Sequence, residues 1–213
     1  MLFKKYLVKP LQVIDLGPYI CIVQEYAPRG DLLKRIGKRA NLEEDEAKII
    51  FRQLLEALVY LKSVEVLHRD LKCDNVLFDR ANNVKLADFG FARYMKANDW
   101  SMTFCGSRIY AAPEILKLLL PENRGMKYSG FASDAWSSGV ILYVMVTGHM
   151  PYDENNLEHT LSEQITYPRS IQLTSSLKEL IASILDPDPM TRKTCEEMIN
   201  SDWLRTTPYQ FFS

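Results

Sequence analysis

Residues 68–75, HRDLKCDN, bring together a carboxylate on Asp70, an ammonium on Lys72 and an amide on Asn75. Thirteen positions beyond Asn75 stands a second acid, Asp88, in the triplet DFG. Two acids, a lysine and an asparagine at this spacing look like equipment for phosphoryl transfer, a reaction promoted mainly by positioning and charge neutralisation.

Such groups must be braced. The apolar triplets 76–78 and 84–86 flank the turn DRANN, and this predicts a small hairpin with HRDLKCDN on one side and DFG on the other. Residues 11–24 read as a second hairpin, two β-branched runs around the turn-rich residues 15–18. A lone two-stranded hairpin is marginal in water, so these strands want further strands beside them, yet only ten residues precede them. Pro28 and Gly30 then lead into a short helical run ending near Ile36. Over residues 43–63, Ala47, Ile50, Phe51, Leu54, Leu55, Leu58 and Leu61 recur at helical spacing behind an acidic start, which predicts an amphipathic helix. Residues 132–147 are apolar on nearly every face in their second half and predict a central buried helix. Further helices are predicted near residues 156–165, 175–185 and 194–201, the last opened by a capping box of Thr194 and Glu197. Residues 91–111 form an irregular connection longer than usual, which points to a functional or a disordered segment.

The 213 residues are 47% hydrophobic, enough for one large domain or two small ones with a real core. Lys and Arg number 26 against 27 Asp and Glu, so the balance gives no reason to expect nucleic acid or an anionic membrane surface as a partner. Cys21, Cys73, Cys105 and Cys195 lie far apart, with no CxxC pair and no secretory leader, which fits a reducing, intracellular and cytoplasmic setting. The longest apolar run, residues 140–146, is too short to span a bilayer. No internal repeat or low-complexity tract occurs, and nothing in the sequence specifies an oligomeric state.

From about residue 11 to the end, the strings GDLL, FRQLLEAL, HRDLKCDN, DFGFAR, TFCGS, YAAPE and MPYD occur in an order that resembles the C-terminal three quarters of a eukaryotic serine/threonine protein kinase. Within that superfamily they are most similar to the testis-specific serine kinase family, near the calcium/calmodulin-dependent group. The resemblance implies an α+β, protein-kinase-like fold with a complete, mainly α C-terminal lobe and a remnant β-hairpin of the N-terminal lobe. The expected boundaries are 1–24 for the remnant, 25–30 for a hinge, 31–204 for the C-terminal lobe and 205–213 for a tail.

The resemblance also implies roles. Asp70 would orient a substrate hydroxyl on the γ-phosphorus, and Lys72 would neutralise charge on the transferring group. Asn75 and Asp88 would hold Mg²⁺ through oxygen against the phosphates of ATP. Leu77 would lie under the adenine, with backbone groups of Glu25 and Ala27 at its edge. Ser107 would touch the substrate hydroxyl, and Asp31 and Asp74 match positions that receive an arginine of the substrate in basophilic relatives. Thr103 occupies the position of an activation-loop phosphorylation site, where a phosphate adding roughly −1.5 to −2 charges would pair with Arg69 and Arg93. His68 and Phe89 would pack, Glu114 and Arg192 would form a buried ion pair, and Asp134 would brace the backbone of the 68–75 loop. Taken singly, each of these residues has an ordinary reading as a solvated charge, a turn former or core.

The pattern fails at its start. No GxGxxG occurs, no strand lysine stands in a VAIK-like context, and no helix supplies that lysine's glutamate. Lys4, Lys5 and Lys9 are not assigned that role, and the chain resembles a kinase cut off near the end of the missing helix, with an uncovered apolar edge. Residues 116–131 are longer than the family's usual connection, and their LKLLL run would be either a packing helix or an exposed patch. Two functions follow. One is transfer of the γ-phosphoryl of MgATP to Ser or Thr hydroxyls of protein substrates, with an upstream activating kinase as a further partner. The other is a non-catalytic, truncated kinase or pseudoenzyme acting as an interaction module.

Overall fold

Helix α4 (Gly130–Thr147) is the centre of the protein, and every residue in it except Phe131, Ala132 and Ser137 is buried. A helix apolar all round can only be an interior one. It begins two residues earlier than the apolar pattern predicts, because Gly130 packs against Leu67. It ends at Gly148, whose φ of +73° closes the last turn and whose missing side chain admits the Ala40 carbonyl; a Cβ there would lie 1.9 Å from that oxygen. The computed structural model describes residues 3–95, 106–123, 126–152 and 165–205.

Helix α2 (Glu44–Ser63) packs on α4 and buries Phe51, Leu54, Leu55 and Leu58, with Glu44, Asp45 and Glu46 at the positive end of its dipole and Lys62 at the other. The helix Ser175–Ile184 packs on α4, and Cys195–Ile199 packs on α2. The capping box of Thr194 and Glu197 is formed. A further short helix, Asp202–Arg205, buries Trp203, whose indole N–H donates to Glu44 over 2.9 Å. Of the helix predicted over residues 156–165, positions 156–164 lie outside the described residues and Ile165 is not helical. The LKLLL run divides: helix α3 (Pro113–Leu116) and a 3₁₀ turn (Lys117–Leu119) bury Leu116, pack Leu118 on the core and leave Leu119 exposed. Among the described residues no helix is long and apolar enough to cross a membrane.

Among the described residues the strands form three two-stranded antiparallel sheets. Strands β1 (Pro10–Asp15) and β2 (Ile20–Gln24) pair with Val13 opposite Ile22. Strands β3 (Val66–Leu67) and β6 (Arg93–Tyr94) make a two-residue pairing that no periodicity announces. Strands β4 (Val76–Phe78) and β5 (Val84–Leu86) pair around a turn in which Asn82 adopts a φ of +65°. Before β1, a 3₁₀ turn (Phe3–Tyr6) packs on α2, and the Val8 N–H donates to the Leu86 carbonyl over 2.9 Å.

The first hairpin is thus anchored at its base and bare above it. Leu11, Val13, Ile20 and Ile22 are each more than half exposed. Hydrogen exchange checks the consequence: amides of β1 and β2 should exchange at the fast end of the range, close to the local-fraying limit, while those of α2 and α4 require global unfolding. Protection of the hairpin equal to that of α4 would mean that its apolar face is covered in solution.

Candidate active site

The loop 68–75 has almost no repetitive structure, so its backbone groups must be satisfied from outside. Asp134 on α4 meets that need from below, accepting the His68 N–H over 2.9 Å and the Arg69 N–H over 3.0 Å. Burial pushes the Asp134 carboxyl above its ordinary value, and the His68 and Arg69 groups oppose that shift. The His68 ring is fully buried; its Nε2 lies 3.0 Å from the Ala87 carbonyl while Nδ1 accepts the Asp70 N–H, which ties the loop to the residue before Asp88. Phe89 covers the same ring, centroid to centroid 5.0 Å. Arg69 and Asp88 both hold left-handed backbone, φ +69° and +62°, a strain of about 1–3 kcal/mol each for residues with a side chain.

Asp70, Lys72, Asn75 and Ser107 come together. The Lys72 ammonium lies 2.8 Å from Asp70 Oδ2 and 3.4 Å from Ser107 Oγ. Ser107 donates to Asp70 Oδ1 twice, from its N–H over 3.0 Å and its hydroxyl over 3.2 Å. Asn75 donates its amide to the Asp70 carbonyl over 2.8 Å, which leaves its amide oxygen as the atom available to a cation. Burial alone would raise the Asp70 carboxyl, but Lys72 and Ser107 hold it below its ordinary value, so it is ionised at neutral pH. The hydrogen bond to Asp70 raises the Lys72 ammonium.

Beside this cluster a cavity of about 1120 Å³ lies between the first hairpin and the β4–β5 hairpin. Glu25, Asp74, Asn75, Leu77 and Asp88 line it, whereas Ala27 does not and is half-buried. Lys4, Lys5 and Lys9, to which no role is assigned above, also line it. Lys85, likewise unassigned, reaches from β5 to Glu25 Oε1 over 2.8 Å and closes one wall. Among the described residues no cluster of three His, Cys, Asp or Glu side chains occurs that could hold a metal on its own.

The other anticipated residues lie further out. Asp31 caps α1 (Leu32–Gly37), accepting the Lys34 N–H over 2.8 Å and pairing with its ammonium at 2.9 Å. Arg93 is exposed on β6, opposite Leu67 of β3, and Thr103 lies outside the described residues. Glu114 and Arg192 meet in a two-pronged pair of 2.6 and 2.9 Å. Arg192 also donates to the carbonyls of Ala132 and Asp186 and lies 5.0 Å over the Trp136 ring.

Gly106, like Lys85, has a part that no motif assigns. Gly106 has a φ of +87°, and a Cβ there would sit 2.5 Å from the Arg69 carbonyl. Only glycine lets the backbone carrying Ser107 approach the 68–70 loop so closely. Its place directly before Ser107 was the available signal.

The protein kinase domain family matches residues 1–204 of the chain. Testis-specific serine/threonine-protein kinase 1 of Mus musculus is 40% identical over 215 residues, covering 96% of this chain and 57% of the relative. The Homo sapiens protein of that name is 43% identical over 195 residues, 87% of this chain and 51% of the relative. The carbon catabolite-derepressing protein kinase of Secale cereale is 38% identical over 207 residues, 96% of this chain and 40% of the relative. The chain spans about half the length of these testis-specific relatives.

The buried pair makes a direct prediction about stability. Replacing Arg192 by Leu strands the Glu114 carboxylate and should cost about 3–5 kcal/mol in urea unfolding. Lys62→Ala, which removes a half-exposed pair with Glu196, should cost no more than about 1 kcal/mol. Equal small losses would mean that the Glu114–Arg192 pair does not hold this part of the fold together.

Proposed function

Because the chain belongs to the serine/threonine protein kinase family, we propose that its cleft transfers the γ-phosphoryl of MgATP to Ser or Thr hydroxyls of protein substrates. The observation that carries this reading is the convergence of Asp70, Lys72 and Ser107 within 3.4 Å of one another, next to a cavity bordered by Asn75 and Asp88. In it, Asp70 receives and aligns the substrate hydroxyl, its carboxylate kept ionised by Lys72 and Ser107. Ser107 holds the other carboxylate oxygen in place and lies within reach of the same hydroxyl. Lys72 spreads positive charge towards the group in flight.

The oxygens of Asn75 and Asp88 fit Mg²⁺, a hard cation usually held by one or two protein oxygens together with substrate phosphates. Bound there, the ion neutralises the charge of the phosphates and fixes their geometry. The adenine would rest on Leu77 against the backbone of Glu25 and Ala27, which supports a hinge over residues 25–30 between residues 1–24 and the lobe over 31–204, with 205–213 as a tail. Asp74 and Asp31 would meet a basic residue of the substrate; for Asp31 that residue must compete with Lys34. Phosphate on Thr103 from an upstream kinase would pair with Arg69 and Arg93.

A second reading, a non-catalytic interaction module, is favoured by one observation: the apolar side chains Leu11, Val13, Ile20 and Ile22 of the first hairpin are exposed. The two readings separate in one assay. On the first, the chain incorporates phosphate from MgATP into a Ser/Thr substrate, Asp70→Asn lowers the rate by about 10²–10⁴-fold without weakening nucleotide binding, and Asp88→Asn weakens Mg²⁺-dependent nucleotide binding. Equal incorporation by the parent and Asp70→Asn would sink the first reading, and retention of a protein partner with no Asp70-dependent transfer would favour the second.

A further inference from the structure

Outside the cleft, two arginines share one carboxylate and a third stands on the neighbouring turn. Arg35 on α1 sets its Nε 2.8 Å from Glu46 Oε1, donates Nη1 to Asn82 Oδ1 over 2.9 Å and lies 4.4 Å over the Phe78 ring. Arg39 reaches the other oxygen of Glu46 at 2.6 Å, and its side chain is 57% exposed. Arg29, also exposed, donates Nε to the Arg80 carbonyl over 2.8 Å, so its terminal nitrogens project beyond that bond. The Arg29 N–H donates to the Phe78 carbonyl over 3.2 Å, so Arg29 is tied to the residue over whose ring Arg35 lies. Burial lowers the Arg35 guanidinium, Glu46 opposes that shift, and repulsion from Arg39 and Arg29 adds to it. Lys38 and Arg80, both exposed, flank the group in sequence.

Holding α1 to α2 requires only Arg35 and Glu46. Arg39 shares a carboxylate already paired, and Arg29 adds a third cation beside it, so the face carries positive charge in excess of its fold. Phe78, Asn82 and Glu46 orient Arg35, the Arg80 carbonyl orients Arg29 and Glu46 orients Arg39, so part of their ordering precedes anything that binds. A planar fork of this kind suits carboxylates two-pronged. We propose that Arg29, Arg35 and Arg39 form a docking surface for an Asp/Glu-rich segment of a partner protein, separate from the cleft and independent of whether the cleft transfers phosphate. Nucleic acid is the weaker occupant: the chain as a whole carries a formal charge of −1, and the cluster is compact, whereas a phosphate backbone is tracked by a stripe of cations.

The test is fluorescence anisotropy with a labelled peptide of alternating Asp and Glu, titrated with the full chain. Binding should weaken as NaCl rises, and Arg29→Glu/Arg39→Glu should reduce affinity by about tenfold or more, with Arg29→Gln/Arg39→Gln moving it the same way to a lesser degree. Lys127→Glu/Arg169→Glu, which alters net charge equally at exposed positions elsewhere, should change affinity by less than about twofold. Thermal melts establish that each variant is folded, and the Gln pair carries the test if the Glu pair is not. Equal loss in the Arg29/Arg39 and Lys127/Arg169 variants would overturn the proposal, as would displacement of the peptide by single-stranded RNA at lower concentration than by unlabelled peptide. Displacement by inorganic phosphate as effective as by the peptide would also overturn it, since the cluster would then be a simple anion site.

Discussion

Asp134 sits on the second turn of the central helix with its carboxylate out of reach of water, a placement that costs several kcal/mol for an unpaired charge. Two backbone N–H groups, those of His68 and Arg69, take the place of that water. The exchange works in both directions. A buried acceptor gains its donors, and two loop residues that belong to no helix or sheet gain fixed partners. Because α4 is packed on nearly every face, its position is not negotiable, and the loop therefore inherits the rigidity of the core.

From that anchor the rest of the site can be followed outward. With His68 and Arg69 fixed, Arg69 is held in left-handed backbone, and the turn directs Asp70 towards Lys72 and Ser107. Ser107 can answer only because Gly106 brings its own chain against the Arg69 carbonyl. His68 carries the constraint sideways to Ala87, so the left-handed Asp88 is referred to the same frame. On the far side, Arg192 ties Glu114 to the first turns of α4 through the Ala132 carbonyl. The segment that follows Ser107 and the loop that carries Asp70 are thus both pinned to one helix, by two different buried charges. Strain at Arg69 and Asp88 persists because these contacts over-determine their conformations.

How much of this the sequence disclosed depends on the range of the interaction. Helix α2 was legible because seven apolar side chains repeat at helical spacing and acids open it, both local properties. The capping box at Thr194 and Glu197 is local too, and it formed. The β4–β5 hairpin was legible from two apolar triplets around a turn. The β3–β6 pairing was not, since two residues have no period and its partners are distant in the chain. For the site, the residue types could be singled out, yet what aligns them lies elsewhere: Gly106 acts through a close approach to Arg69, and Lys85 through an ion pair to Glu25 sixty positions away. Gly106 is announced only by its place directly before Ser107, and Lys85 by no spacing at all. The start of α4 lies two residues before the apolar pattern because Gly130 carries no apolar signal and Phe131 is only half-buried, although the close approach of Gly130 to Leu67 places it in the helix.

The two walls of the cavity are built by unlike forces. The Asn75, Leu77 and Asp88 wall rests on buried β4 and β5 side chains and, through His68 and Asp134, on the core. The facing wall, from Val8 to Glu25, is joined to it by few bonds, Val8 to Leu86 and Lys85 to Glu25, while the bonds between Lys9 and Glu25 only close that wall on itself. Its apolar residues point largely to solvent, so hydrophobic burial contributes little to holding it. Its cations are lysines, compact charges on flexible stems with no planar fork to fix an orientation. A nucleotide entering this cavity would therefore meet one preorganised side, the metal and catalytic side, and one side that must be ordered on binding. That ordering opposes binding. On the proposed function, the grip on the nucleotide is consequently weakest where the hairpin faces it, and the alignment of the hydroxyl is strongest where Asp70 is referred to Asp134.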